Sequence, residues 1–278
     1  MSAPSSSNTS LPLTGGLPTT SQDIAPSAIF IGLYLLTGAL CLFRMLAQYR
    51  TPRSILLTYV RLMVFEIVRV VTFIVRILGA ENYSAALKGT AQFNETLLIV
   101  EQILISVGYL MPAAVLVKLV GFHSARAESE GRSRIVIRVL ELAIMGAMTI
   151  SSIVVIAVLA LIVVFCISLA RRKGIPQRTT LWLGLSSAIL TIVPIYRIAN
   201  SANPPADSNS NSAKLAFYVF QLAIEWLVGA ALLAVNAKEW CGVEDERSQT
   251  MPVYVAGPAY AQSEEEMRKP FAYGSGGY

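Results

Sequence analysis

The sequence predicts an all-α, polytopic transmembrane helix bundle, and three observations predict it. Of 278 residues, 54% are hydrophobic and only 14% are charged, against about 25% charged in a soluble domain. The mean hydropathy is +0.59. Apolar runs of about 20 residues, long enough to cross a hydrocarbon core of about 30 Å, recur along the chain. Seven such runs need ~140 residues, which fits this length with short tails. A soluble globular protein and a disordered chain are both excluded, and no room remains for a second folded domain. The expected organisation is a disordered extracytoplasmic N-terminus over residues 1–26, a helical bundle over 27–240, and a disordered cytoplasmic tail over 241–278.

The first run covers residues 27–46. Asp23 lies upstream, and Arg44, Arg50 and Arg53 lie at or beyond its end. Positive flanks stay cytoplasmic, so the N-terminus is expected outside. Residues 1–26 hold no basic residue, so the run is read as a span and not as a cleaved signal peptide. The second run covers 55–78, and the loop expected over 79–95 has Lys88 as its only basic residue. The third covers 96–118 and leads into a basic loop with His123, Arg126, Arg132 and Arg134.

Residues 135–170 are too many for one crossing and barely enough for two. Two crossings, with a turn near residues 149–152, keep Arg171, Arg172, Lys173 and Arg178 on the same side as the other basic loops. The positive-inside rule favours that arrangement. Seven spans are therefore predicted, six if residues 135–170 cross once. The next run covers 180–199. It ends before the polar stretch Asn203-Pro204-Pro205-Ala206-Asp207, which breaks helix. The last covers 213–236. Beyond it the tail is polar, with Glu264, Glu265 and Glu266 and a Gly/Tyr end, and with seven spans it is cytoplasmic. Sequons at Asn8, Asn82 and Asn94 all fall on the side assigned outside. Asn8 and Asn82 are the glycosylation candidates, because Asn94 lies close to the membrane.

Composition also narrows the chemistry. The net charge of +5 resides mainly in loops, where it is a topology signal and not a nucleic-acid footprint. Nucleic acid is therefore not an expected partner. Three cysteines are too few for a disulfide framework. Cys41 and Cys166 read as packed thiols, and Cys241, just past the last run, as a candidate for S-palmitoylation. The single histidine, His123, argues against a histidine-based metal site or a Ser-His triad. Phosphate-loop, dinucleotide, zincin and nucleophile-elbow motifs are all missing. A retinal protein would need a lysine in the middle of the last run, whereas Lys214 and Lys238 sit at its ends. The chain reads as a non-enzyme with no cofactor and no metal.

The informative residues are ionisable groups inside the runs, since a charge in hydrocarbon costs ~2.5–3.5 kcal/mol on insertion scales and needs a partner or a wet cavity. The second run carries Arg61, Glu66, Arg69 and Arg76. At about 100° per residue, the three arginines fall within about 80° of one another, and Glu66 lies about 60° beyond Arg69. This predicts a polar stripe facing the bundle interior, with Glu66 the local ion-pair partner of Arg69. Other runs offer Glu101, Tyr196, Arg197, Gln221 and Glu225. Mutual pairing between arginines and glutamates is expected. So is a polar cavity open to the outer leaflet, where Arg76, Glu101, Arg197 and Gln221 converge. The candidate ligand-binding set is Arg69, Arg76, Glu101, Tyr196, Arg197, Gln221 and Glu225. The same groups read equally as static ion pairs holding helices in register.

Several short motifs carry a family resemblance: Ala25-Pro26-Ser27 before the first run, Phe73-Ile74-Val75-Arg76-Ile77-Leu78 closing the second, Tyr196-Arg197, and Phe217-Tyr218-Val219-Phe220. Together with the order of runs over residues 25–242, the chain resembles the fungal seven-span lipid-translocating exporter family, also called the aminocholesterol-resistance family, or a related fungal seven-span family. It differs at Asn200 and Gln221, where that family tends to carry acidic residues. The resemblance implies a fungal membrane protein that binds or translocates an amphiphilic, lipid-like molecule such as a sphingoid or sterol. Two alternatives remain: a seven-span receptor or sensor, disfavoured by the short basic loop over residues 171–179, and a scaffold that transports nothing.

Overall fold

Every regular element among the described residues of the computed structural model is helical; these are residues 14–49, 53–125, 152–171, 176–203, 205, 207 and 209–241. They belong to the unit Met1–Val243. The elements are α1 (Thr20–Ala47), α2 (Arg53–Leu87), α3 (Glu95–Gly108), α4 (Leu110–Ala125), α5 (Ser152–Ala170), α6 (Gln177–Ala202), α7 (Asn211–Ala234) and a short α8 (Ala237–Trp240). Five stretches are long and apolar enough to cross a membrane: α1, the joined Glu95–Ser124, Ile153–Ala170 in α5, α6 and α7. Asn8, residues 135–151 and the tail from 242 onward, on which several expectations fall, lie outside the described residues.

Helix α1 begins at Thr20, upstream of the expected residue 27. Asp23 in the first turn accepts from the Thr19 backbone N–H at 2.7 Å and so satisfies a donor that helix starts leave orphaned. Residues 14–26, assigned to a disordered terminus, are instead built into the bundle. Helix α2 runs on through the expected loop to Leu87, because Ala80, Ala85, Ala86 and Leu87 favour helix. It stops where Gly89 adopts φ 72°. There Thr90 N–H donates to Ala85 O and Gly89 N–H to Ala86 O, both at 3.0 Å, the two bonds of a Schellman cap. The span of α3 and α4 breaks at Tyr109. Pro112, having no N–H, cannot donate to the carbonyl of Gly108, and Tyr109 N–H turns to Val107 O.

Side-chain contacts give the helix directions. Thr37 on α1 meets Glu66 on α2 and Cys41 meets the Tyr59 carbonyl, so α1 and α2 are antiparallel. Near one end of the bundle Ser27 meets Tyr218, and near the other Arg44 donates to the Val235 carbonyl just past α7; α1 and α7 therefore run parallel. Trp182 donates to Ala231 O, and the Tyr196 ring stacks on Phe220, which sets α6 antiparallel to α7. The His123 ring of α4 hydrogen-bonds Thr180 near the start of α6 at 2.8 Å, whereas Arg197 near the end of α6 reaches Ile105 O and the Tyr109 ring just before α4. Cys166 of α5 packs against Gly184 of α6, and the link over residues 171–176 is too short to run back along α5. Helices α4 and α5 are thus both antiparallel to α6.

The core joins Tyr34, Phe65, Phe73, Leu116, Leu159, Leu190 and Leu232, all fully buried. Outside it, large apolar side chains face outward on most helices, among them Leu36, Phe43, Ile67, Leu161 and Leu181. Such a surface belongs in hydrocarbon and not in water. Cys241 is buried, its thiol donating to Leu119 O at 3.8 Å. That burial, imposed by the docking of α8, corrects its reading as a palmitoylation site.

Candidate functional site

Charged and polar side chains gather inside this apolar bundle in three groups. The first joins α1, α2, α3 and α7. Asp23 is its hub, accepting from Arg76 Nε at 3.1 Å and Nη2 at 2.7 Å, from Tyr218 OH at 2.9 Å, and from Lys214 Nζ. Arg76 also pairs with Glu101 and lies over the rings of Phe217 and Tyr218, 4.8 and 5.6 Å from their centroids. The backbone of residues 14–19 lies across the group as a strap. Gly15 O accepts from Arg76 at 2.9 Å, Gln102 holds the backbone of Thr14 through both amide atoms, and Leu17 N–H donates to Asn209. None of the charged atoms of Asp23, Arg76, Glu101 or Lys214 is buried without a partner.

The second group lies deeper. Arg69 Nη2 donates to Glu225 and, at 3.5 Å, to Ile105 O. That carbonyl is left for side chains by the break at Tyr109. Arg197 reaches the same carbonyl at 3.4 Å and the Ser106 hydroxyl at 2.8 Å, with its guanidinium 5.1 Å from the Tyr109 ring centroid. Residues Tyr218–Ala223 of α7 form a π-helical turn. Breaks and π turns within spans recur at functional sites. Gln221, on that turn, is fully buried with both amide atoms unpartnered.

The third group is Glu66, 2% exposed. Thr37 donates to its Oε2 at 2.7 Å, while Oε1 has no partner. Glu66 lines a groove of about 330 Å³ between α1 and α2, whose other walls include Tyr34, Leu35, Gly38, Leu42, Ile67 and Val71. Leu35, Leu42, Ile67 and Val71 are exposed, so the groove opens on the outer, apolar surface of the bundle.

The structure therefore regroups the residues singled out by sequence. Arg76 and Glu101 do pair, and Glu225 meets Arg69. Glu66 is not the partner of Arg69; its carboxylate turns to α1, where Thr37 supplies the hydroxyl. Among the described residues Arg197 pairs with no carboxylate and joins Arg69 at Ile105, so Arg76, Glu101, Arg197 and Gln221 do not form one cavity. The strap and Asp23 fill the space above Arg76. Arg61 is exposed, which shortens the predicted stripe to Glu66, Arg69 and Arg76. Tyr196 packs on Phe220 and is half-buried. Asn82 lies in α2, with its amide nitrogen donating to Gln92 O at 3.2 Å and its oxygen accepting from Asn94 N–H at 2.8 Å. The amide put forward for glycosylation is thus engaged in the α2–α3 turn.

Sequence reasoning does not single out Asp23, Lys214 and Tyr218 as members of a buried network. The signal for Asp23 is the run Thr19-Thr20-Ser21-Gln22-Asp23, a helix-start pattern. Among the described residues no group of histidine, cysteine and acidic side chains is arranged to hold a metal. No family model, curated protein or solved structure matches the chain.

Gly108 gives the second group a direct test. A Cβ added there would fall within 3.0 Å of the Arg69 guanidinium, with Nε at 2.8 Å, closer than real Cβ atoms come. Gly108→Ala is expected to displace Arg69 from Glu225 and to lower stability by about 1–3 kcal/mol, the range for overpacking a core. Thermal unfolding of the detergent-solubilised protein measures it. An unchanged midpoint shows that the guanidinium has another place to lie.

Proposed function

We propose that this chain is a seven-span integral membrane protein that binds an amphiphilic, lipid-like molecule, the first step that translocation requires. Helix direction supports the span count. Helices α1 and α7 run parallel, as the first and last of an odd number of spans must. Helices α4 and α5 also run in the same direction, which supports the reading of residues 135–170 as two crossings. An N-terminus outside and a C-terminus in the cytoplasm follow from the basic loops.

The binding reading rests on one observation: the buried carboxyl of Glu66 stands in the wall of a groove that is otherwise apolar and faces lipid. Ligand pockets of ~300–1,000 Å³ combine apolar walls with a few polar groups in this way, and an acceptor held in hydrocarbon gains from a donor. The ligand class is an apolar tail carrying a hydroxyl or amine head, in keeping with the family resemblance. The Asp23–Arg76–Glu101–Lys214 network, with every charge engaged, fits a structural tie between helices and is assigned no ligand.

A long-chain alcohol bearing a photoactivatable diazirine tests the site in phosphatidylcholine nanodiscs. Crosslinks are expected to concentrate on α1 and α2. Ala39→Trp, at an exposed position lining the groove, should fill it and cut labelling by about tenfold, the loss of about 1.4 kcal/mol of binding. Labelling spread over all lipid-facing helices and indifferent to Ala39→Trp would sink the reading.

A further inference from the structure

We propose that Arg69 and Arg197 form a buried binding site for a single monovalent anion, either free in solution or carried as the headgroup of an anionic amphiphile. The site is separate from the Glu66 groove and does not depend on it.

Two like charges meet in this region. Two guanidiniums share one carbonyl oxygen, that of Ile105, and the carboxylate paired with Arg69 is that of Glu225. Glu101 is engaged by Arg76, while Glu66 turns to Thr37, a neutral hydroxyl. The C-terminal end of α3 contributes roughly half a negative charge through its free carbonyls, and among the described residues Arg197 has no carboxylate of its own. Like charges held this close in hydrocarbon are costly unless a counterion joins them.

Hydrogen-bonding capacity points the same way. Arg69 is fully buried, yet its Nε and Nη1 have no partner. Gln221, one turn before Glu225, has an unpartnered amide nitrogen as well. An unmade hydrogen bond from a buried charged donor costs more than from a neutral one, and an anion supplies the acceptor that Arg69 lacks. The backbone supplies the setting. The break at Tyr109 frees Ile105 O, Gly108 has no side chain to crowd the guanidinium, and the π turn carries Gln221. Discontinuous helices inside a bundle are a common way to build ion and headgroup sites. Arg197 is only half-buried and gives the site an edge through which a ligand enters.

The test is equilibrium binding to the full chain in phosphatidylcholine nanodiscs, with radiolabelled chloride as the free anion and radiolabelled palmitate as the headgroup probe. Saturable binding of one anion per chain is expected, and Arg197→Gln should weaken it by about tenfold or more, as expected for the loss of charged hydrogen bonds. Binding of chloride alone identifies a free-anion site, and binding of palmitate alone a headgroup site. Should Arg197→Gln fail to give monodisperse protein, Gln221→Leu, which removes an unpartnered amide, decides the matter by the same loss. Absence of saturable binding to the wild type, or binding that survives the folded variants unchanged, overturns the assignment.

Discussion

Replacing Asp23 by alanine is expected to cost about 3–5 kcal/mol, the loss found when one partner of a buried ion pair is removed. The carboxylate accepts from Arg76, Lys214, Tyr218 and the Thr19 backbone at once, and Asp23 itself is fully buried. Without it, Lys214 is left with the Thr19 hydroxyl at 2.7 Å, and Arg76 keeps Glu101 and the Gly15 carbonyl while its Nε loses a carboxylate. Helix α1, α7 and the strap should loosen together, since all three are tied to this side chain. The readout is the temperature at which the solubilised protein loses its monodisperse size-exclusion peak. Asp23→Leu combined with Lys214→Met removes one charge of each sign and leaves Arg76 with Glu101; it should recover most of the loss. A single Asp23→Ala protein as stable as the wild type would show that the network contributes nothing to folding.

Glu225→Ala should be nearly as damaging, by about 3 kcal/mol or more, because it strands Arg69 beside Arg197 with no carboxylate between them. The double replacement Arg69→Met with Glu225→Leu substitutes apolar groups of similar size for the pair. Such exchanges are often neutral or stabilising, so it is expected to fold well. A double-mutant cycle over these two positions measures the coupling. A coupling energy near zero would mean that the two charges do not depend on each other.

Much of this arrangement is legible in the sequence, and particular pieces of it are not. The helical class, the positions of the apolar stretches and the inward direction of Glu66, Arg69 and Arg76 come from composition and the period of the helix. Partnership does not. Glu66 and Arg69 are three residues apart and adjacent on a helix surface, and that local proximity suggests a pair. In the folded chain Glu225 and Thr37, distant in sequence, reach them first. Asp23 is hidden by Pro26, which marks a helix boundary more often than a helix interior. Lys214 looks like an interfacial lysine at the end of a span, and only the direction of α1 relative to α7 brings it onto Asp23. No periodicity encodes the break at Tyr109 or the π turn. Pro112 hints at the first, and nothing in residues 218–223 signals the second.

The π turn makes the last helix a two-part key. Its first part presents Lys214 and Tyr218 to α1, and its second presents Glu225 to α2. A π turn holds more residues than the α-turn it replaces, and each residue added or removed rotates the remainder of the helix by about 100°. Losing one residue between Tyr218 and Ala223 would restore regular helix and swing one part out of phase with the other. Lys214 would then turn from Asp23, or Glu225 from Arg69. In a span that only meets lipid, a change of one residue in length passes unnoticed. In this one it rewires which charges meet.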